Sequence, residues 1–490
     1  MGWVCSAYKK NGQRRFNMKE FFATPDVNAS AVNTFFGESL KKDNEIHAIS
    51  IYIDEEKKLS FAAEPYSLDD KREIYSLSKS FTSCAIGAAW DDGIIDLDEK
   101  LVDIFPDKLP EKISENLSEM TVRHCLTMTT GHIACVMNEM VFEEDPAKAF
   151  LACDVQKEPG TYFVYNTGAS CMLGLILERK TGRKLFDYAY EKILSPLGIK
   201  DATWSECASA TNEGGIGLHI SCRDIEKFGL MLANGGEYAG KRILSQEWVD
   251  MAGAAQVSNK ENGDSGTGNW TSGYGFQFWR TAHDGYRGDG LKGQLCMVMP
   301  KHKAVVSIVA CTKDMEAEIA DAVTLVENLL GKSDETFNIP DYRPSATDKD
   351  ISDFVGKTVL LNPNPIGLTS AKFEKTDTGI VVTLLNGNRA QTLFAGNGCW
   401  EKSELELPAI TPKILPMMIS TRPEKVRIAS SFTVENGKLV ITARNLSNPH
   451  TVIVSAEKQE NEITVHLDTV WFPEMLSDNV RVLKGKIVSR

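Results

Sequence analysis

β-type apolar runs fall into two groups separated by a long stretch of helical periodicity. The first, "HAISIYIDEEKKLSFAA" (47–63), reads as two strands of a hairpin with "IDEEKK" as its loop. The second, "YGFQFWR" (274–280), "GQLCMVMP" (293–300) and "KAVVSIVAC" (303–311), reads as a three-stranded meander. Helices are predicted between them. "GASCMLGLILERKTG" (168–182) carries apolar residues at helical spacing and ends on Gly. "SCRDIEKFGLMLANGG" (221–236) offers Ser221 as a cap with Asp224 three residues on. "DMEAEIADAVTLVENLL" (314–330) closes the region as an amphipathic helix. This order predicts an α/β (α+β) sandwich: one antiparallel sheet from both groups of strands, helices on its faces, and a helical insertion between.

A chain of 490 residues is too long for one core. The polar stretch 331–350, with two prolines, reads as a linker. Beyond it, segments such as "GIVVTLLNG" and "KLVITARN" alternate between turns, which predicts a separate small all-β domain. The expected division is therefore an N-terminal extension over 1–44, a main domain over 45–332, a linker over 333–350 and a β-rich accessory domain over 351–490.

A net charge of −13 argues against nucleic acid as a partner, because neutralising phosphates takes clustered Lys and Arg. The 11 cysteines include no CxxC pair, so a reduced compartment fits better than a disulfide framework. No apolar run approaches the roughly 20 residues of a membrane span, and the N-terminus lacks a secretory apolar stretch. A cytoplasmic location without a transmembrane segment is the expectation. An M-G-x-x-x-S acylation pattern at residues 1–6 is too short to carry weight. Oligomeric state is not legible. The histidines show no HxxxH or HxH spacing, so neither a metal nor a cofactor is predicted.

The chemistry concentrates in "YSLSKSFTSCAIG" (75–87). With a helix beginning near Ser76, Lys79 lies one turn on, sharing its face. Burial favours the neutral amine, which accepts a proton, and the helix N-terminus offers N–H groups to an oxyanion. SxxK occurs four times in this chain, and most such pairs are caps and solvated lysines. The pair at 76 and 79 differs because it follows a strand pair and opens a strongly apolar helix.

"IYSLSKSFTSCAIG" resembles the nucleophile helix of the serine β-lactamase and penicillin-binding protein superfamily, and the chain looks most like its class C-like branch. "TVRHCLTMTTGH", "EPGTYFVYNTGASCMLGLILERKTG", "GGIGLHISCRDIEKFG" and "YRGDGLKGQLCMVMP" resemble further blocks of that superfamily in the expected order. The resemblance spans residues 45 to about 330. It implies a β-lactamase/transpeptidase-like fold and a serine hydrolase that cleaves a small ester, amide or peptide through an acyl-enzyme on Ser76. Lys79 becomes the partner of Ser76, and Tyr165 the general base and acid, its proton eased off by neighbouring positive charge.

Two motifs depart from the superfamily pattern. Where Tyr-x-Asn is usual, this chain has Tyr165-Asn166-Thr167, so the amide role falls to Asn166 or to Thr167. Where Lys or His opens the third motif, the triplet is Gly288-Asp289-Gly290, leaving charge to Arg287 or Lys292. The Leu291 N–H, reached through Gly290, is expected to pair with that of Ser76 as an oxyanion hole. Asp289 completes the set of candidate substrate-binding residues. The departures also leave open a non-catalytic sensor or scaffold of the same fold. "GDSGTG" (263–268) imitates a protease nucleophile motif, but Ser265 sits in a polar loop.

Overall fold

In the computed structural model, the run AVVSIVAC becomes strand Ala304–Cys311, buried along its whole length. The structure describes residues 20–207, 209–260, 268–281, 283–364, 367–387, 389–407, 424–469 and 482–488. The acylation-like pattern and Ser265 lie outside them. Two compact units divide between Pro340 and Asp341.

The first unit contains a seven-stranded sheet. Its strands are β1 (Glu20–Ala23), β2 (Glu45–Ile53), β3 (Glu56–Ala62), β4 (Trp279–Arg280), β5 (Tyr286–Gly290), β6 (Gln294–Met299) and β7 (Ala304–Cys311). The order is β1-β3-β2-β7-β6-β5-β4, antiparallel throughout. The two sequence groups therefore meet at β2 and β7, where Ala48 faces Val309 and Ile53 faces Ala304. The continuous apolar character of β7 follows from its place between β2 and β6.

Three local features differ from the expectations. The β2–β3 turn is only two residues, Asp54 and Glu55, at φ 49° and 63°, the left-handed pair that fits hairpin twist. The stretch 274–280 forms a strand over Trp279–Arg280 alone, because Gln277 at φ 64° bends the chain. Residues before 45 also join the sheet unit, through β1 paired with β3 and through helix α1 (Ala29–Lys41).

The other long helices are α2 (Ser78–Asp91), α3 (Thr167–Thr181), α4 (Cys222–Ala233) and α5 (Met315–Asn328). Helix α4 starts at the predicted capping box: the Asp224 N–H donates to Ser221 Oγ and the Ser221 N–H to Asp224 Oδ2, each at 3.2 Å. It lies tightly on the sheet at Gly229, where a Cβ would stand 2.5 Å from Val305 Cγ1. Helix α2 is buried from Ser78 to Ala89, and α3 packs against it. None of the helices among the described residues is long and apolar enough to cross a membrane.

The second unit is a ten-stranded antiparallel meander in which the first strand, Lys357–Leu361, pairs with the last, Val482–Val488. Gly396, on the strand at one end of that order, also makes a parallel bridge to Ser431, on the penultimate strand at the other end. Alternate residues, among them Val359, Phe373, Val382, Ile441 and Ile463, form one apolar core, the period-2 pattern read from the sequence.

Gly87 tests the packing of α2. A Cβ there would lie 2.4 Å from Trp248 Cε2 in a fully buried ring. Gly87→Ala is expected to destabilise the first unit by about 1–3 kcal/mol, read as a lower urea midpoint.

Candidate active site

Helix α2 begins at Ser78, two residues later than expected, and Ser76 stands in the 3-10 turn Tyr75–Leu77 before it. The cause is Tyr75, whose φ of 48° is outside the right-handed helical region. That conformation costs of order 1 kcal/mol or more in a non-glycine residue. The surroundings hold it: the Tyr75 side chain is buried, and the Ile74 N–H donates to the Leu218 carbonyl at 3.0 Å. The strained position immediately precedes the candidate nucleophile.

Lys79 is 1% exposed. Its Nζ lies 3.0 Å from Ser76 Oγ and 2.8 Å from the Gly215 carbonyl oxygen. Burial depresses the amine to about 8 against weaker pulls from Cys171, Cys135 and Asp289. At neutral to slightly alkaline pH a share of Lys79 is therefore a free amine within reach of the serine proton.

The Lys79 Nζ also sits 4.9 Å from the centroid of the Tyr165 ring. Ser76 stands beside the Tyr165 hydroxyl, close enough to pull its pKa down. Its proton is held rather than eased off: burial first, then the Asp289 carboxylate, push it above its ordinary value, and the Ser76 contact pulls the other way. Tyr165 is thus a phenol able to donate. Ser76, Lys79 and Tyr165 form one contiguous group.

Asn166 is buried and caps α3, its Oδ1 accepting from Gly168 N at 3.0 Å and from Val136 N at 3.1 Å. Its amide oxygen is engaged by backbone beside Tyr165.

Strand β5 explains the altered third motif. At Gly288 a Cβ would lie 2.3 Å from Ser80 Oγ and 2.5 Å from Leu77 Cδ1; at Gly290, 2.0 Å from the Ile74 carbonyl oxygen. The strand rests directly on the Tyr75–Leu77 turn and the start of α2, so no side chain fits at either position. Leu291 follows, 36% exposed, at the start of the turn into β6. Arg287 and Asp289 occupy the other face. Arg287 is fully buried, donating from Nε to Asp289 Oδ2 at 2.9 Å and from Nη1 to the Asn269 and Arg280 carbonyls at 3.2 and 3.0 Å. Its guanidinium lies 4.7 Å from the Trp270 ring centroid. Burial pushes the Asp289 carboxyl up, while Arg287 and then Lys79 pull it back. Lys292 stands on the turn after β5, its amine lowered by burial to about 8.

Residues not singled out from the sequence also shape the site. Gln277 donates from Nε2 to the Cys125 and Leu126 carbonyls at 3.0 and 2.9 Å. It accepts at Oε1 from Ser170 Oγ at 2.6 Å, and its carbonyl accepts from Ser80 Oγ at 3.0 Å. One residue thereby ties α2, α3 and helix Val122–Leu126 together, the last two through its amide and α2 through its backbone carbonyl. Its only sequence signal is a polar residue flanked by aromatics in "GFQFW". Gly214 and Gly215 let their turn lie against α3, where a Cβ would reach 2.4 Å from the Ser170 oxygen and 2.5 Å from Thr167 Cγ2. Of other donor groups, Glu45, His47 and Cys311 lie close together, but the Arg72 guanidinium stands 3.1 Å from His47 Nδ1, a cation where a metal would need room.

A family model described as Beta-lactamase matches residues 44–328, more than half of the chain. The chain belongs to the beta-lactamase family. Relatives include the 6-aminohexanoate-dimer hydrolase of Paenarthrobacter ureafaciens, 25% identical over 49% of this chain and 66% of that one. The D-aminopeptidase of Brucella anthropi is 29% identical over 28% of this chain and 27% of that one. The beta-lactamase-family chain thus spans under two thirds of the length of either relative. Among solved structures, a penicillin-binding protein homologue from Caulobacter crescentus matches with a TM-score of 0.52 at 16% identity, covering 62% of this chain and 97% of that one. That likeness shows the fold.

The buried lysine of this family member gives a stability signature. An unfolded lysine titrates near its ordinary value of about 10.4, whereas Lys79 in the fold titrates at about 8. Between those values the unfolded chain binds the extra proton, so stability rises with pH there. From pH 7 to 9 the wild type is expected to gain about 1 kcal/mol relative to Lys79→Met, measured by urea denaturation at each pH. A constant difference between the two proteins would show that Lys79 keeps an ordinary lysine titration.

Proposed function

We propose that this protein is a serine hydrolase that cleaves a small ester or amide through an acyl-enzyme on Ser76, without a cofactor. The observation that carries the reading is the Lys79 amine, lowered to about 8 and 3.0 Å from Ser76 Oγ. Neutral Lys79 takes the Ser76 proton as Oγ attacks the carbonyl carbon. The N–H groups of Ser76 and Leu291 hold the oxyanion, since β5 lies against the Tyr75–Leu77 turn at Gly290. Protonated Tyr165 gives its proton to the leaving group and stays a phenolate until the incoming water reprotonates it, while Lys79 keeps the Ser76 proton until Oγ is released in deacylation. Water then attacks the acyl-enzyme, the same groups carry its proton, and the free acid leaves. Relatives named as a 6-aminohexanoate-dimer hydrolase and a D-aminopeptidase support hydrolysis as the class of reaction.

The absence of a side chain at Gly288 argues against efficient β-lactam turnover, because no cation stands there to hold a substrate carboxylate. Losing one charge-assisted contact costs about 1.5–3 kcal/mol, roughly 10- to 200-fold in rate.

A fluorophosphonate probe is expected to label the wild type and not Ser76→Ala. Lys79→Ala should slow acylation by roughly 10²–10⁴-fold. Wild-type labelling should rise as pH increases through about 8, the Lys79 value. p-Nitrophenyl butyrate should be hydrolysed, and nitrocefin poorly or not at all. Failure of the folded wild type to label would favour a sensor or scaffold, and efficient nitrocefin turnover would remove the argument from Gly288.

A further inference from the structure

We infer that Met128 is a positioning residue for Tyr165: it grips the backbone on both sides of the tyrosine and so sets where the phenol meets the leaving group. This rests on the reading of Tyr165 as the acid of a serine hydrolase.

Met128 follows helix Val122–Leu126 in the segment "TVRHCLTMTTGH". Two of its atoms accept hydrogen bonds from the tyrosine segment. Its carbonyl takes the Val164 N–H at 3.0 Å, and its Sδ takes the Asn166 N–H at 3.3 Å. Val164 and Asn166 are the two chain neighbours of Tyr165. Met128 is 1% exposed, so both bonds lie in a low dielectric, where they are stronger than in water.

The backbone of Met128 stands at φ 59°, left-handed, where a side chain is strained and glycine is not. A turn that needed only this conformation would be served by glycine. What methionine adds is the thioether, a weak acceptor, placed here against an N–H whose residue is fully buried. Such a donor costs free energy when left unpaired. The two segments are tied further along as well. The Gly160 N–H donates to the Thr129 carbonyl at 2.8 Å and the Lys157 N–H to that of Gly131 at 2.9 Å.

The tyrosine ring is packed as closely as its backbone is held. It stacks on Trp279 with centroids 5.1 Å apart, and the Lys79 Nζ stands 4.9 Å from its centroid. A general acid must come within about 3 Å of the atom it protonates. A misplacement of about 1 Å costs on the order of 10²-fold. An alkoxide leaving group needs that proton, whereas p-nitrophenolate departs without it.

The test compares ethyl butyrate with p-nitrophenyl butyrate, which share an acyl group, through kcat/KM, which reports acylation. Met128→Leu keeps the volume and removes the acceptor. Its ethyl-to-p-nitrophenyl ratio of kcat/KM is expected to fall at least about tenfold. Tyr165→Phe should lower the ratio further. Adding Met128→Leu to it should cost less than about threefold more, because the methionine acts through a hydroxyl already gone. Met128→Gly, free of strain in the left-handed turn, should repeat the leucine result, and each variant is checked by thermal unfolding. An unchanged ratio in a folded Met128 variant, an equal loss on both esters, full additivity with Tyr165→Phe, or failure of both Met128 variants to fold would overturn the inference and leave the hydrolase reading standing. A wild type that turns over neither ester would overturn the hydrolase reading itself. One that turns over only the p-nitrophenyl ester would remove Tyr165 as the acid and keep Ser76 as the nucleophile. The positioning role falls with either.

Discussion

Lys79 reaches the Gly215 carbonyl because two consecutive glycines let that turn lie directly against α3. The lysine is thereby enclosed between helices with a carbonyl on one side and the Ser76 hydroxyl on the other. An amine in water has no reason to give up its proton near neutrality; one held in this enclosure does. Its reactivity belongs to the packing around it. Thr82 reinforces the arrangement by donating to the Gly214 carbonyl at 2.6 Å, and the Leu218 N–H donates to Ser78 Oγ at 3.1 Å. The glycine-bearing turn and the start of the following strand are thus fastened to α2 on both sides of the lysine contact.

The same logic operates on the opposite flank. Gly288 and Gly290 allow β5 to touch the Tyr75–Leu77 turn, which leaves the strand without a cation at position 288 and puts the charged residues on its other face. Backbone proximity and a charged side chain compete for the same space here, and proximity wins. That competition accounts for the Gly288-Asp289-Gly290 triplet.

What was legible in the sequence was whatever repeats along it. The strand order followed from apolar runs, the α4 cap from Ser221 and Asp224, and the pairing of Ser76 with Lys79 from one turn of spacing. The β-rich unit followed from alternation. What escaped was whatever depends on chain segments far apart. Gln277 reads as a strand residue until its amide meets carbonyls from Cys125 and Leu126, more than 150 residues earlier. The Tyr165 proton was expected to loosen beside a lysine, yet burial, and after it a carboxylate brought in by β5, hold it in place. The start of α2 shifted to Ser78 because of the left-handed Tyr75, which no local propensity requires.

The pairing of β2 with β7 joins Ala48 to Val309, and the nucleophile turn lies inside the loop so closed. Closing a loop of that length is slow compared with local folding, and parts that form early wait with unpaired edges. On the ribosome, β2 and β3 emerge long before their central neighbour, leaving β2 with an open edge in the growing chain. Helices α2 to α4 are made while the middle of their sheet is still missing. Ser76 therefore has its surroundings completed only after residue 311 has been synthesised, which ties the birth of the site to the last strand of the sheet.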